Sequence, residues 1–139
     1  MGPQDDLDRF VAAQDRHWTA IRSEIAAGRK TSHWMWYVFP QLSGLGRSPN
    51  AQHYALADID EARSYLGHPV LGERLRDCAR LLCGLPGDDP VAVFGPVDAL
   101  KLRSSMTLFD RVSPGDVFAR VLAQYYGGQP DPRTLALLG

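Results

Sequence analysis

The chain has 139 residues, of which 45% are hydrophobic and 22% charged, with a formal net charge of −1. That length and balance fit one domain around one core, burying roughly two-thirds of the unfolded surface without disulfides or metal staples. The near-zero charge removes any general attraction to nucleic acid or anionic membrane, so nucleic acid is left open but not favoured as a partner. No apolar run reaches 18 residues and the N-terminus has no signal-peptide core, so no membrane partner and a cytoplasmic location are expected.

In chain order, residues 1–5 read as a flexible N-terminus and 6–139 as a single helical domain. Leu7, Phe10, Val11, Trp18, Ile21 and Ile25 fall on one stripe at helical spacing, with Asp5 or Asp6 as cap and Gly28 as stop. Gln14 sits in a gap of that stripe, where its amide either ties down a neighbouring loop or reaches into a pocket. The run HWMWYVFPQL is dense in rings and broken by Pro40. SGLGRSPN then supplies an irregular Gly/Pro loop. The helical pattern resumes from Asn50, with Asp58 as a cap for residues 61–66.

His68-Pro69 marks the next helix start, and Leu71, Leu75, Cys78 and Leu82 form its apolar stripe. Cys78 and Cys83 have neither a metal spacing nor a disulfide framework and read as buried free thiols. VAVFG is the one strand-like run, too short and isolated for a sheet. Asp98 reads as a cap for a helix through Phe109. SPGD then opens a helix that turns Val117, Phe118, Val121, Leu122 and Tyr125 inward. GGQP ends it, and a short helix covers residues 134–138. The expected fold is mainly α, a compact single domain of six or seven helices.

Two stretches carry candidate chemistry. Trp34, Trp36, Tyr37 and Phe39 cannot share one helical face, so they pack beneath the loop or meet a flat ligand such as a nucleobase. Gly44 and Gly46, with Ser48 beside them, let backbone approach a phosphate. In the second stretch, Asp98, Lys101 and Ser105 share a helix face. They form either a surface ion pair or a site in which a desolvated Lys101 acts as nucleophile with Asp98 beside it. Ser104 and Ser105 can add hydrogen bonds. The four histidines have no helical metal spacing, and no metal or cofactor is expected. No nucleophile elbow or triad arrangement is present.

The strings KTSHWMWYVFPQLSGLGRS, YLGHPVLGERL and FGPVDALKLRSSMTLF are similar to those of a bacterial and fungal family, domain of unknown function eighteen-ten. Its members are often labelled "calpastatin". Calpastatin-type inhibitors are disordered, whereas this composition builds a core. The resemblance implies a compact helical fold and no established activity. FPQL…GRSPNAQHYAL more loosely resembles the F-S-N-F…T-x-E-H-Y-F-Q pattern of the NADAR superfamily, helical N-glycosidases acting on ADP-ribose-type or related ribosyl substrates. That resemblance places Phe39 and Gln41 at the ring-binding segment and Gln52-His53-Tyr54 at the E-H-Y element. Gln52 stands where the superfamily has an acid, and an amide cannot serve as general base. Asp98 is then the candidate acid and Lys101 the candidate for the superfamily's lysine.

Three functions remain open on the sequence. The first is an N-glycosidase using Lys101 and Asp98, with Trp34, Trp36, Phe39, Gln41, Gly44, Gly46, Ser48, Tyr54, Ser104 and Ser105 binding a nucleotide or ADP-ribose-type ligand. The second is a module that binds such a ligand without turnover. The third is a protein-interaction domain with exposed aromatics. The oligomeric state is left open.

Overall fold

Eight helices arise from the residues described in a computed structural model, which are 3–139, with side chains from Leu7 onward. They are α1 (Pro3–Ala26), α2 (Met35–Val38), α3 (Pro49–His53), α4 (Ile59–Gly67), α5 (Leu71–Gly84), α6 (Pro90–Val112), α7 (Val117–Tyr126) and α8 (Pro132–Leu138). Residues 1 and 2 of the supposed flexible stretch lie outside the described residues, and from Pro3 onward the backbone is helical. Helix α1 therefore begins before Asp5 and Asp6 rather than after them.

The predicted stripes are largely the buried ones. Leu7, Phe10, Ile21 and Ile25 face inward from α1, while Val11 and Trp18 are half-buried. Leu71, Leu75, Cys78 and Leu82 do the same from α5, as do Val117, Phe118, Val121, Leu122 and Tyr125 from α7. Cys83, expected inside, is only half-buried because it lies off the α5 stripe. Gln14 is fully buried and satisfied. Its Nε2 donates to the Tyr37 carbonyl at 2.6 Å and the Tyr65 hydroxyl at 3.1 Å, and its Oε1 accepts from Arg74 at 3.3 Å. The amide thus ties α2 to α1 and does not reach a pocket.

Helix ends follow side-chain caps. Ser48, Asp58, Asp116 and Asp131 accept from the first-turn N–H groups of α3, α4, α7 and α8. At α5 a histidine does this work: His68 Nδ1 accepts from Val70 N at 3.1 Å and Leu71 N at 3.2 Å. Gly72 in the same turn lies so close to α4 that a Cβ there would sit 1.9 Å from the Leu66 carbonyl oxygen.

Helix α6 departs from the sequence reading. Asp89 caps it at 2.9 Å, the strand-like VAVFG forms its first turns, and Asp98 is interior rather than a cap. Gly95, at φ 81° and ψ 166°, breaks the helix before Pro96. From Ser104 to Phe109 every residue is buried, since α6 packs against α4, α7 and α8. Among the described residues the extended structure consists of one isolated parallel bridge between Leu42 and Leu56, which closes the loop carrying α3. No helix among the described residues is long and apolar enough to cross a membrane.

Candidate functional site

The site is assembled where residues 29–36 cross the break in α6. Glu24 near the end of α1 organises the crossing. It accepts from Thr31 N at 2.7 Å, Ser32 N at 2.9 Å, the Ser32 hydroxyl and Trp34 Nε1 at 3.0 Å. Burial pushes the Glu24 carboxyl up, but the donors from Ser32, Thr31 and Trp34 outweigh it and bring it down to about 2. Lys30 N donates to the Val93 carbonyl at 2.8 Å, which stitches this segment to the first half of α6.

That stitch puts two ammonium groups on one carboxylate. Lys30 Nζ lies 2.8 Å from Asp98 Oδ2 and Lys101 Nζ lies 3.2 Å from Asp98 Oδ1. The Lys30 side chain is 7% exposed, Asp98 18% and Lys101 22%, so this is not the solvated surface pair that sequence spacing also allows. Each ammonium also sits over an indole: Lys30 is 5.2 Å from the Trp34 ring centroid and Lys101 is 5.0 Å from that of Trp36. Beside them opens a cleft of about 300 Å³, walled by Lys30, His33, Met35, Trp36, the turn at 94–98 and Lys101. The Trp36 Nε1 atom is buried and has no acceptor among the described residues.

Of the residues singled out in the sequence, Trp36, Asp98 and Lys101 meet at this cleft. Trp34 and Phe39 do not line it. Both are fully buried and pack edge-on against Phe94, at centroid distances of 6.3 and 6.1 Å, as a floor of core rings. Burial of Trp34 follows from Glu24, which satisfies its indole N–H. Tyr54 packs against Phe10 and Tyr37, and the Gln41 carbonyl accepts from Leu56 N at 2.9 Å.

The Gly/Pro loop is also occupied with the fold. A Cβ at Gly44 would touch Leu137 of α8 at 3.6 Å, one at Gly46 would strike Ala51 at 2.5 Å, and Ser48 caps α3. At both glycines the missing side chain leaves room for a neighbouring helix, α8 at Gly44 and α3 at Gly46. The Ser104 hydroxyl donates to Asp131 at 2.7 Å and so holds α8, while Ser105 is fully buried with an unpartnered hydroxyl. Leu102 is in the core but Leu100 is 67% exposed, so only one of the two leucines flanking Lys101 gives it an apolar setting. No group of three or more metal-ligating side chains stands together among the described residues.

Sequence reasoning missed Lys30, Glu24 and the role of the Gly95-Pro96 step. The glycine–proline pair was the available signal, since such a dipeptide punctuates a helix. Nothing local marks Lys30, whose partner lies far along the chain.

Fold and site together define a class: an all-helical domain around one core, with a shared-carboxylate lysine pair in a cleft at a broken central helix. The chain belongs to the family described as Protein of unknown function (DUF1810), which matches residues 4–138. It is similar to the crystal structure of the conserved hypothetical protein Rv1873 from Mycobacterium tuberculosis. The two share 50% identity over 96% of each chain, with a TM-score of 0.93. No curated protein matches the chain.

Proposed function

We propose that the cleft beside the break in α6 binds an anionic small molecule of the nucleotide or ADP-ribose type. One observation carries this reading: Trp36, Asp98 and Lys101, from two distant stretches, wall one hollow with Lys30 as a second cation. The lining has two lysines against one aspartate, an excess of one positive charge. At about 300 Å³ the hollow lies at the small end of ligand sites, enough for one end of such a molecule. The likeness to NADAR glycosidases rests on the sequence pattern alone.

Lys101 Nζ is already engaged by Asp98 at 3.2 Å and lies over the Trp36 ring, an arrangement suited to holding an anion rather than to nucleophilic attack. Turnover is a second reading, favoured by the amine and carboxylate standing side by side at 3.2 Å. In that case a water oxygen bonds to the ribosyl C1 as the C1–N bond breaks, and the base leaves with the proton. Thermal stabilisation by ADP-ribose and AMP, with free base measured in parallel, tests both. The binding reading expects stabilisation of the wild type, about 2.7 kcal/mol at a hundredfold excess over Kd, no base release, and loss of the effect in Lys101→Ala. Base release by the wild type but not by Lys101→Ala or Asp98→Asn supports turnover. Absence of stabilisation by either ligand sinks the proposal.

A further inference from the structure

We infer that the cleft reads the phosphoryl end of its ligand, through Lys30 and Lys101 acting as a pair, and not the base. This rests on the nucleotide-type reading of the same cleft and specifies how it is met. The rings that suggested a base platform are not free to serve as one. Trp34 is 1% exposed beneath the cleft, and the Lys101 ammonium lies over the Trp36 ring. A base stacked on that indole face would have to displace a cation already paired with it.

What the walls offer instead is hydrogen-bond donors. An ammonium carries three N–H groups, and Asp98 accepts one from Lys101 while pairing with Lys30 as an ion. The Lys30 side chain is more than nine-tenths buried yet lines the cleft, so its ammonium is held at the wall of the hollow with little freedom to move away. The Trp36 indole N–H beside it is buried and has no acceptor among the described residues, so only a shift of the ring would let it reach a ligand. An unmet buried donor costs free energy until an acceptor arrives. A phosphoryl group brings three acceptor oxygens and negative charge to a lining with one excess positive charge. The helix that restarts at Pro96 turns its positive end to the same place. Asp98 then acts as a positioning residue: it holds the two lysines together at one wall and limits the excess charge to one.

The same chemistry is presented by inorganic phosphate, a sugar phosphate and a nucleotide, and the test separates them. Calorimetric titrations of the full chain with inorganic phosphate, ribose 5-phosphate, AMP, ADP-ribose and adenosine are the measurement. The inference expects ribose 5-phosphate, AMP and ADP-ribose to bind and adenosine not to. Lys30→Met should weaken the phosphorylated ligands roughly 10- to 100-fold, with partial recovery in Lys30→Arg. Lys101→Met should give a comparable loss independently, which covers the case of a Lys30→Met chain that does not fold. Affinity should fall as salt rises. Adenosine binding as tightly as AMP, or unchanged AMP affinity in a folded Lys30→Met chain, overturns the phosphoryl assignment while leaving a nucleotide site intact. Binding of phosphate and ribose 5-phosphate but of no nucleotide supports the assignment and removes the nucleotide reading. No binding by any of the five removes both.

Discussion

Glu24 shows how one residue can shape a site that it does not line. Its carboxylate gathers Thr31, Ser32 and Trp34, and so directs the chain that delivers Lys30 and Trp36 to the cleft. Replacing it with glutamine keeps the size but leaves an amide whose nitrogen cannot accept. Glu24→Gln should destabilise the fold by about 1–3 kcal/mol, the usual cost of stranding partly buried donors, read as a lower midpoint in urea. Asp98→Asn leaves two lysines, one with a side chain only 7% exposed, without their shared counter-charge and should lower the midpoint as well. A Glu24→Gln chain with an unchanged midpoint would contradict the role given to its carboxylate. Neither Glu24's role nor Lys30's was readable in advance. Both depend on partners brought near by a turn whose geometry no local pattern specifies. Asp98 and Lys101 were readable, because three residues on a helix place two side chains on one face.

At the scale of elements, short-range chemistry sets most boundaries. Asp58, Asp116 and Asp131 cap helices with their own side chains, and the glycine-rich segment after α7 ends it with Gly127 in the left-handed conformation. Helix α6 is the exception. Its first turns read as a strand because VAVFG is β-branched and apolar, yet Asp89 and Pro90 start a helix there and α6 finds helices, not strands, to pack on. Where two elements nearly touch, glycine decides the spacing. Gly72→Ala forces a Cβ onto the Leu66 carbonyl of α4 and should cost about 1–3 kcal/mol or more. At Gly84, at the other end of the same helix, an added Cβ meets nothing within 4 Å. Gly84→Ala should therefore be neutral or stabilise by about 0.4–1 kcal/mol. Equal midpoints in chemical denaturation for the two variants would show that the α4–α5 approach is not tight.

The whole molecule is built around α6, and its acid response follows from the carboxylates that fasten other elements. Burial pushes Asp116 and Asp131 up as it does Glu24, but hydrogen bonds bring all three below the ordinary carboxylate range. For Asp116 the donors are Val117 N, Arg76 and Ser113; for Asp131 they include Thr134 and Ser104. The unfolded chain binds these protons more readily than the folded one, so the stabilisation is complete above the ordinary carboxylate range and drains away as pH falls. For Glu24 the window runs from 4.5 down to about 2. Thermal midpoints should therefore decline steadily over that range, and Glu24→Gln should flatten the decline. A wild-type midpoint that holds steady between pH 4.5 and 2 would contradict this assignment.

From its amino acids alone this chain declares helices, most of their inward faces, the Asp58 cap and the lysine–aspartate pair, because those depend on spacing and on neighbours within a turn. Tertiary packing decided which rings became core and which met the cleft, sent the Gly/Pro loop to admit α8 and α3, and brought Lys30 to Asp98. Those outcomes depend on which distant surfaces exclude water against each other, and that is a property of the assembled core.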